Sequence, residues 1–173
     1  MNTPSVFILD VDGVMTSGNF YYNSEGKYLK SFGPDDNDAL SLLSNFLEIR
    51  FVTGDKKGFP ISKKRIVEDM KYRLDLVSTF KRIEWIKERY NVDDVVYMGD
   101  GIFDHYVMRE TMYSISPQNA DDNAKYFSNY VTKRKGGDRA VAEACIHLLE
   151  TFFERFEPSK PPKINFKKGG EWA

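Results

Sequence analysis

An α/β fold, a doubly wound parallel sheet with helices on both faces, is what this chain of 173 residues predicts, on three observations. Short apolar runs recur along the chain, segments of helical periodicity separate them, and three of the runs stop at an Asp, a Thr or a Gly-Asp pair. Alternation of that kind sets strands parallel with helices as crossovers, and ligands then gather beyond the carboxyl ends of the strands.

The first run, 6–9, ends at Asp10 and has the pattern of a buried strand that delivers a polar side chain. Residues 18–32 hold two aromatic, alternating stretches around Asn23, Ser24, Glu25 and Gly26, which is turn chemistry for a β-hairpin, a flap. Asp35, Asp36 and Asp38 precede Ala39, Leu40, Leu42, Leu43 and Phe46, so carboxylates sit at the positive amino end of an amphipathic helix. A second strand, 49–52, runs into Thr53, Gly54 and Asp55. Pro60 suits the first turn of a helix reaching to about Tyr72, a strand is expected at 74–77, and 80–90 has helical periodicity. The strand at 95–98 meets Gly99 and Asp100. A short helix at 103–110, a strand at 113–115, a helix near 119–126 and a weaker strand at 130–132 follow. Asp138 is placed to cap a last helix to about Phe153, with Ala140, Val141, Ala144, Cys145, Leu148 and Leu149 on one face. This order is that of a Rossmann-like sheet over residues 1–156. The Pro- and Lys-rich remainder, 157–173, should be extended.

Composition narrows the function classes. The chain is 41% hydrophobic and 29% charged, the profile of a globular protein with a core. Twenty-five basic against 26 acidic side chains leave a net charge of −1, so no general field gathers nucleic acid or an anionic membrane. One cysteine excludes an intramolecular disulfide, and with two histidines it cannot form the common His/Cys zinc site, which fits a cytoplasmic setting. No apolar stretch approaches the roughly 18 residues that span a bilayer, and the first residues lack the pattern of a targeting segment, so none is expected.

Asp10-Val11-Asp12-Gly13, directly after a buried strand, carries the most chemistry. A carboxylate such as Asp10 can attack a phosphoryl group and divide one hard displacement into two easier ones. Asp12, two residues on, is close enough to protonate the leaving alkoxide and then to take a proton from water. Asp100 would meet Asp10 across the top of the sheet and complete an oxygen-ligand Mg2+ site, with Asp12 supplying a main-chain carbonyl and Asp104 a candidate further ligand. Thr53 and the Gly54 amide could hold phosphoryl oxygens, and Lys81, at a strand-to-helix junction, could neutralise phosphoryl charge. Singly, each has an ordinary explanation as a turn, cap or solvated side chain.

Together and in this order, Asp10/Asp12, Thr53, Lys81 and Asp100 resemble the four motifs of the haloacid dehalogenase superfamily of phosphohydrolases. Forty residues separate Asp12 from Thr53, filled by the hairpin and one helix, which implies a member without a cap domain. FILDVDGVMTSGNFYYNSEGKYLKSF, VTGD, YMGDGIFD and VTKRKGGDRAVAEACIHLL are similar to the 3-deoxy-D-manno-octulosonate 8-phosphate phosphatases and the related sialic-acid-type 9-phosphate phosphatases. The resemblance implies a phosphorylated sugar acid as substrate and a homotetramer whose hairpins, with neighbouring subunits, close the active sites. It also implies that the tail could reach an adjacent site.

Departures from the pattern bear on substrate. Gly101 stands where a second Asp often follows Asp100, Asp35 where a basic residue is common, and Asp55 where Arg or Glu is usual. Around Asp55, Lys57 and Arg65 are candidates for a substrate carboxylate, and Arg139, after Gly136 and Gly137, for an anionic ligand. Two other readings stand beside the sugar-acid phosphatase: the same chemistry on another phosphosugar, and a catalytically silent binding or assembly subunit. A phosphoacceptor switch would need a long-lived aspartyl-phosphate, which a water-activating Asp12 opposes.

Overall fold

The computed structural model describes residues 2–160. Six parallel strands form the sheet: β1 (Val6–Asp10), β4 (Glu48–Thr53), β5 (Arg73–Leu76), β6 (Val95–Met98), β7 (Tyr113–Ser116) and β8 (Tyr130–Val131), in the order β5-β4-β1-β6-β7-β8. Between β1 and β4 lie the hairpin strands β2 (Tyr21–Asn23) and β3 (Gly26–Leu29), antiparallel, and helix α1 (Asp35–Leu43). No cap domain occupies that interval. Helix α2 (Phe59–Lys63) runs on as a wider π turn (Lys64–Asp69) before β5, and a 3-10 turn (Thr79–Lys81) leads into α3 (Arg82–Lys87) before β6. Helices α4 (His105–Met108), α5 (Asp122–Phe127) and α6 (Ala140–Phe152) complete the alternation. Residues 161–173, and with them most of the predicted tail, lie outside the described part.

The strands are apolar throughout because both faces of the sheet are covered. Side chains alternate, so Phe7 and Leu9 of β1 join Phe51, Val96 and Met98 under α1 and α6. Val6 and Ile8 point the other way and pack with Val95, Tyr97, Ile86, Val107 and Ala124 under α3, α4 and α5. Strand β1 is central: the chain runs outward from it to β4 and β5, then crosses back to β6 on its other side. A crevice opens at such a reversal of strand order, beyond the carboxyl ends, and Asp10, Thr53 and the Gly99–Asp100 turn border it.

One local expectation is corrected. Asp138 does not cap α6: the preceding residue of that helix, Arg139, is left-handed (φ 64°) and no side chain of its own segment caps it. The cap comes from α1, where buried Asp36 accepts the Ala142 N–H at 2.8 Å. A carboxylate that lies in the first turn of α1, as the sequence predicts, thus also caps a helix through an amide 106 positions away in sequence. Burial pushes Asp36 up to about 6, against the Ala142 amide, which lowers it, with Asp35 and Asp138 adding repulsion.

Because the folded-state value is raised, the stability tied to the protonated carboxyl is full below the unfolded value of 3.8 and is lost as pH rises through about 6. Asp36→Asn keeps the acceptor and removes the charge. It should therefore match the unaltered protein in thermal melting near pH 3 and exceed it at pH 8, by up to about 3 kcal/mol. A variant less stable at pH 8 would show that the ion strengthens the cap by more than its burial costs.

Candidate active site

The loop after β1 is shaped by backbone. The Val11 carbonyl accepts from Met15 N at 2.9 Å and Thr16 N at 3.2 Å, which folds the chain back over the strand end. Gly13 sits at φ +93°, and a Cβ there would lie 1.9 Å from Asp100 Oδ2, so only glycine lets the two loops meet. Gly136 presses on the other side, where a Cβ would come within 1.7 Å of the Gly13 carbonyl oxygen.

Around this turn Asp10, Asp100 and Asp104 converge, with a carboxylate oxygen from each within 4.8 Å of the others. Asp10 takes Arg82 Nη1 at 3.0 Å on Oδ2 and the Val11 amide at 2.8 Å on Oδ1. Asp104 is saturated: Oδ1 accepts from Tyr97 Oη at 2.6 Å and Arg82 Nη1 at 2.9 Å, and Oδ2 from the amides of Asp100 and Gly101 at 2.9 and 2.8 Å. The Asp100 carboxylate accepts no hydrogen bond from any described residue, although its main-chain carbonyl takes the Asp121 amide at 2.8 Å. Burial and the neighbouring Asp10 and Asp104 push Asp100 up to about 8. Burial likewise raises Asp10 to about 6, against the pull of Arg82. Crowded, under-neutralised carboxylates of this kind fit a hard divalent cation, which takes oxygen ligands and supplies the missing charge.

On the β4 side, Thr53 Oγ1 donates to Asp12 Oδ2 at 3.1 Å and accepts the Asp55 amide at 3.1 Å. The other oxygen of Asp12 faces Lys30, whose ammonium lies 2.7 Å from Oδ1. Lys30 also pairs with Asp55 at 2.9 Å and donates to Ser62 Oγ at 2.9 Å. Lys27, from β3, pairs with Asp55 at 2.5 Å. The two lysines bring Asp55 down to about 2 against the opposing effect of its burial.

The structure therefore brings Asp10, Asp12, Thr53, Asp55, Asp100 and Asp104 together at one end of the sheet. Lys81 does not join them. It is exposed and makes no ion pair among the described residues, while Arg82, next in sequence, is the buried cation on Asp10. The cause is helical phase: Lys81 closes the 3-10 turn and Arg82 opens α3, and one residue of rotation exchanges which side chain points inward. Lys57 is exposed, and half-buried Arg65 reaches only the Gly33 carbonyl at 3.5 Å. Arg139 pairs with Asp35 at the junction of α1 and α6 and touches none of the carboxylates in the cluster. A hollow of about 780 Å3 beside Glu48, Tyr72 and Arg73 lies at the opposite, amino end of the strands and holds none of this chemistry. Lys30 and Arg82 escaped the sequence reading. A lysine ending an aromatic hairpin strand and an arginine beside a more conspicuous lysine carry no local signature.

No family model matches the chain. A 3-deoxy-D-manno-octulosonate 8-phosphate phosphatase of Salmonella typhi is 32% identical over 155 residues, which cover 83% of this chain and 78% of that protein. The chain belongs to the 3-deoxy-D-manno-octulosonate 8-phosphate phosphatase family. Its members are haloacid dehalogenase-type phosphoric monoester hydrolases, as the strand-end carboxylates anticipate. The Moraxella catarrhalis enzyme of this family, solved with magnesium, phosphate and the sugar acid KDO, superposes with a TM-score of 0.72 at 25% identity, covering 85% of this chain and 86% of that one. The Yersinia pestis enzyme superposes with a TM-score of 0.70 at 26% identity, covering 85% and 81%. The departures that the sequence resemblance implies at Gly101, Asp35 and Asp55 each have a local account in the structure. Gly101 donates its amide to Asp104, Asp35 pairs with Arg139, and Asp55 anchors two hairpin lysines. Among the described residues no helix is long and apolar enough to cross a membrane.

Proposed function

We propose that the chain is a magnesium-dependent phosphatase that hydrolyses the phosphomonoester of a small sugar acid, 3-deoxy-D-manno-octulosonate 8-phosphate or a sialic-acid-type 9-phosphate, through an aspartyl-phosphate on Asp10. The observation that carries this reading is the pairing of Asp10, at the end of β1, with Asp12 two residues on, the latter hydrogen-bonded to Thr53. The family relationship supports the substrate class.

In this reading an Asp10 oxygen forms a bond to phosphorus as the bond to the sugar oxygen breaks, and Asp12 gives that oxygen its proton. Water then attacks the phosphorus, Asp12 takes its proton, and the bond to Asp10 breaks. Thr53 and Gly54 present a hydroxyl and an amide to the phosphoryl oxygens. Arg82 holds the nucleophile in place from behind. Mg2+, held by Asp10, Asp100 and the Asp12 carbonyl, would offset the repulsion between carboxylates and phosphate. Asp104, with both oxygens engaged, orients Arg82 and the Asp100 loop. Lys57 and Arg65 remain nearest in sequence for contacts to the sugar acid. A homotetramer in the cytoplasm belongs to the same reading, and the exposed hairpin side chains Tyr21, Tyr22, Tyr28 and Leu29 are apolar surface suited to subunit contact.

The test is phosphate release with and without magnesium across octulosonate 8-phosphate, a nine-carbon sugar-acid 9-phosphate, hexose phosphates and an aryl phosphate. Preference for a sugar acid is the expected result. Preference for a hexose phosphate would move the substrate, and no release from any compound would favour the silent binding subunit.

A further inference from the structure

Lys30 is buried completely, with none of its side chain exposed. Removing an ammonium from water costs several kcal/mol, so a buried lysine needs a structural return. Anchoring the hairpin is not enough to explain it, because Lys27 already ties β3 to Asp55. Lys30 reaches past Asp55 to Asp12, the residue assigned to both proton transfers.

The contacts on Asp12 are unequal. Its Oδ1 is sealed from solvent and lies 2.7 Å from the Lys30 ammonium, in ion-pair contact without an aligned hydrogen bond. Its Oδ2 takes the Thr53 hydroxyl, and the side chain keeps 15% exposure. The inner oxygen is thus fixed, leaving Oδ2 to exchange a proton with a substrate. Lys27, Lys30, Asp12 and Asp55 form one cluster of ion pairs, in which Lys30 fixes the orientation of the Asp12 carboxyl.

Building on the phosphatase reading, we propose that Lys30 is a positioning residue for the acid–base step, holding Asp12 through its buried oxygen and linking that hold to the seating of the hairpin on Asp55. Protonation of the leaving oxygen matters greatly for an alkyl phosphate and little for an aryl phosphate, whose phenolate departs unaided. Loss of orientation therefore has a signature that loss of folding or of phosphate binding lacks.

The experiment compares kcat/KM, which reports steps through departure of the leaving group, for octulosonate 8-phosphate and p-nitrophenyl phosphate with saturating Mg2+. Lys30→Met should lower the first by about 30- to 100-fold and the second by no more than about threefold. Ser62→Ala, which frees the same lysine from its hydroxyl acceptor while keeping its charge, should shift the ratio in the same direction by about threefold, and it decides the matter if Lys30→Met does not fold. Equal losses on both substrates, or no loss on either, overturn the inference and leave the phosphatase reading intact. No release from either substrate by the unaltered protein overturns both.

Discussion

Asp10→Asn should lower kcat for phosphate release by at least about ten-thousand-fold, roughly 5 kcal/mol of barrier, with the folded structure retained. The substitution preserves shape and removes the oxygen that would bond to phosphorus. It should not unfold the chain. The carboxylate is held against its own burial, which pushes it up to about 6, so exchanging it for a neutral amide relieves a strain as well as removing a partner of Arg82. Arg82 keeps Asp104 at 2.9 Å and Tyr97 at 2.7 Å. Steady-state turnover and thermal melting on the same preparation check both halves. Retained turnover with a native melting curve would remove Asp10 from the nucleophile's role.

The second large effect is expected at Arg82, and it separates two adjacent residues. Its guanidinium is 1% exposed and is shared among Asp10, Asp104 and Tyr97. Taking one partner out of a buried ionic network leaves the others uncompensated, at a cost of about 3–5 kcal/mol, or roughly 10 °C in melting temperature for a chain of this size. Arg82→Met should therefore melt markedly lower and, by unfastening Asp10, lose about 100-fold or more in kcat. Lys81→Met should change neither by more than about twofold or 1 °C, because an exposed lysine with no ion pair contributes little. Melting curves and turnover for the pair decide the assignment. If Lys81→Met is the damaging one, the cation at the phosphoryl group is the lysine and Arg82 is only packing.

These two residues show where reading along the chain stops. Asp10, Asp12, Thr53 and Asp100 were legible because each lies within two residues of an apolar strand end, and strand ends in a parallel sheet share one edge. Once the alternation of strands and helices was recognised, their meeting needed no further information. The hairpin was legible for the same local reason: Asn23 Oδ1 accepts the amides of Glu25 and Gly26 at 2.9 and 3.1 Å, a turn built from adjacent residues.

Arg82 was misassigned to Lys81 because the inward direction depends on where a 3-10 turn becomes an α-helix, a boundary that side-chain type does not mark. Asp36 lies in its own helix's first turn, as its sequence position predicts. Its hydrogen-bond partner is the start of α6, and that pairing exists only after α1 and α6 pack on the same face of the sheet. Lys30 is the furthest removed, because its meeting with Asp12 and Asp55 requires the hairpin to fold back over the strand ends. Sequence order alone therefore establishes the α/β alternation, the strand-end carboxylates and the end of the sheet where they gather, since these follow from local periodicity and parallel pairing. Which cation meets Asp10, which one meets Asp12 and what caps the last helix were decided by packing, because each is a contact between distant segments that only the assembled layers bring within reach.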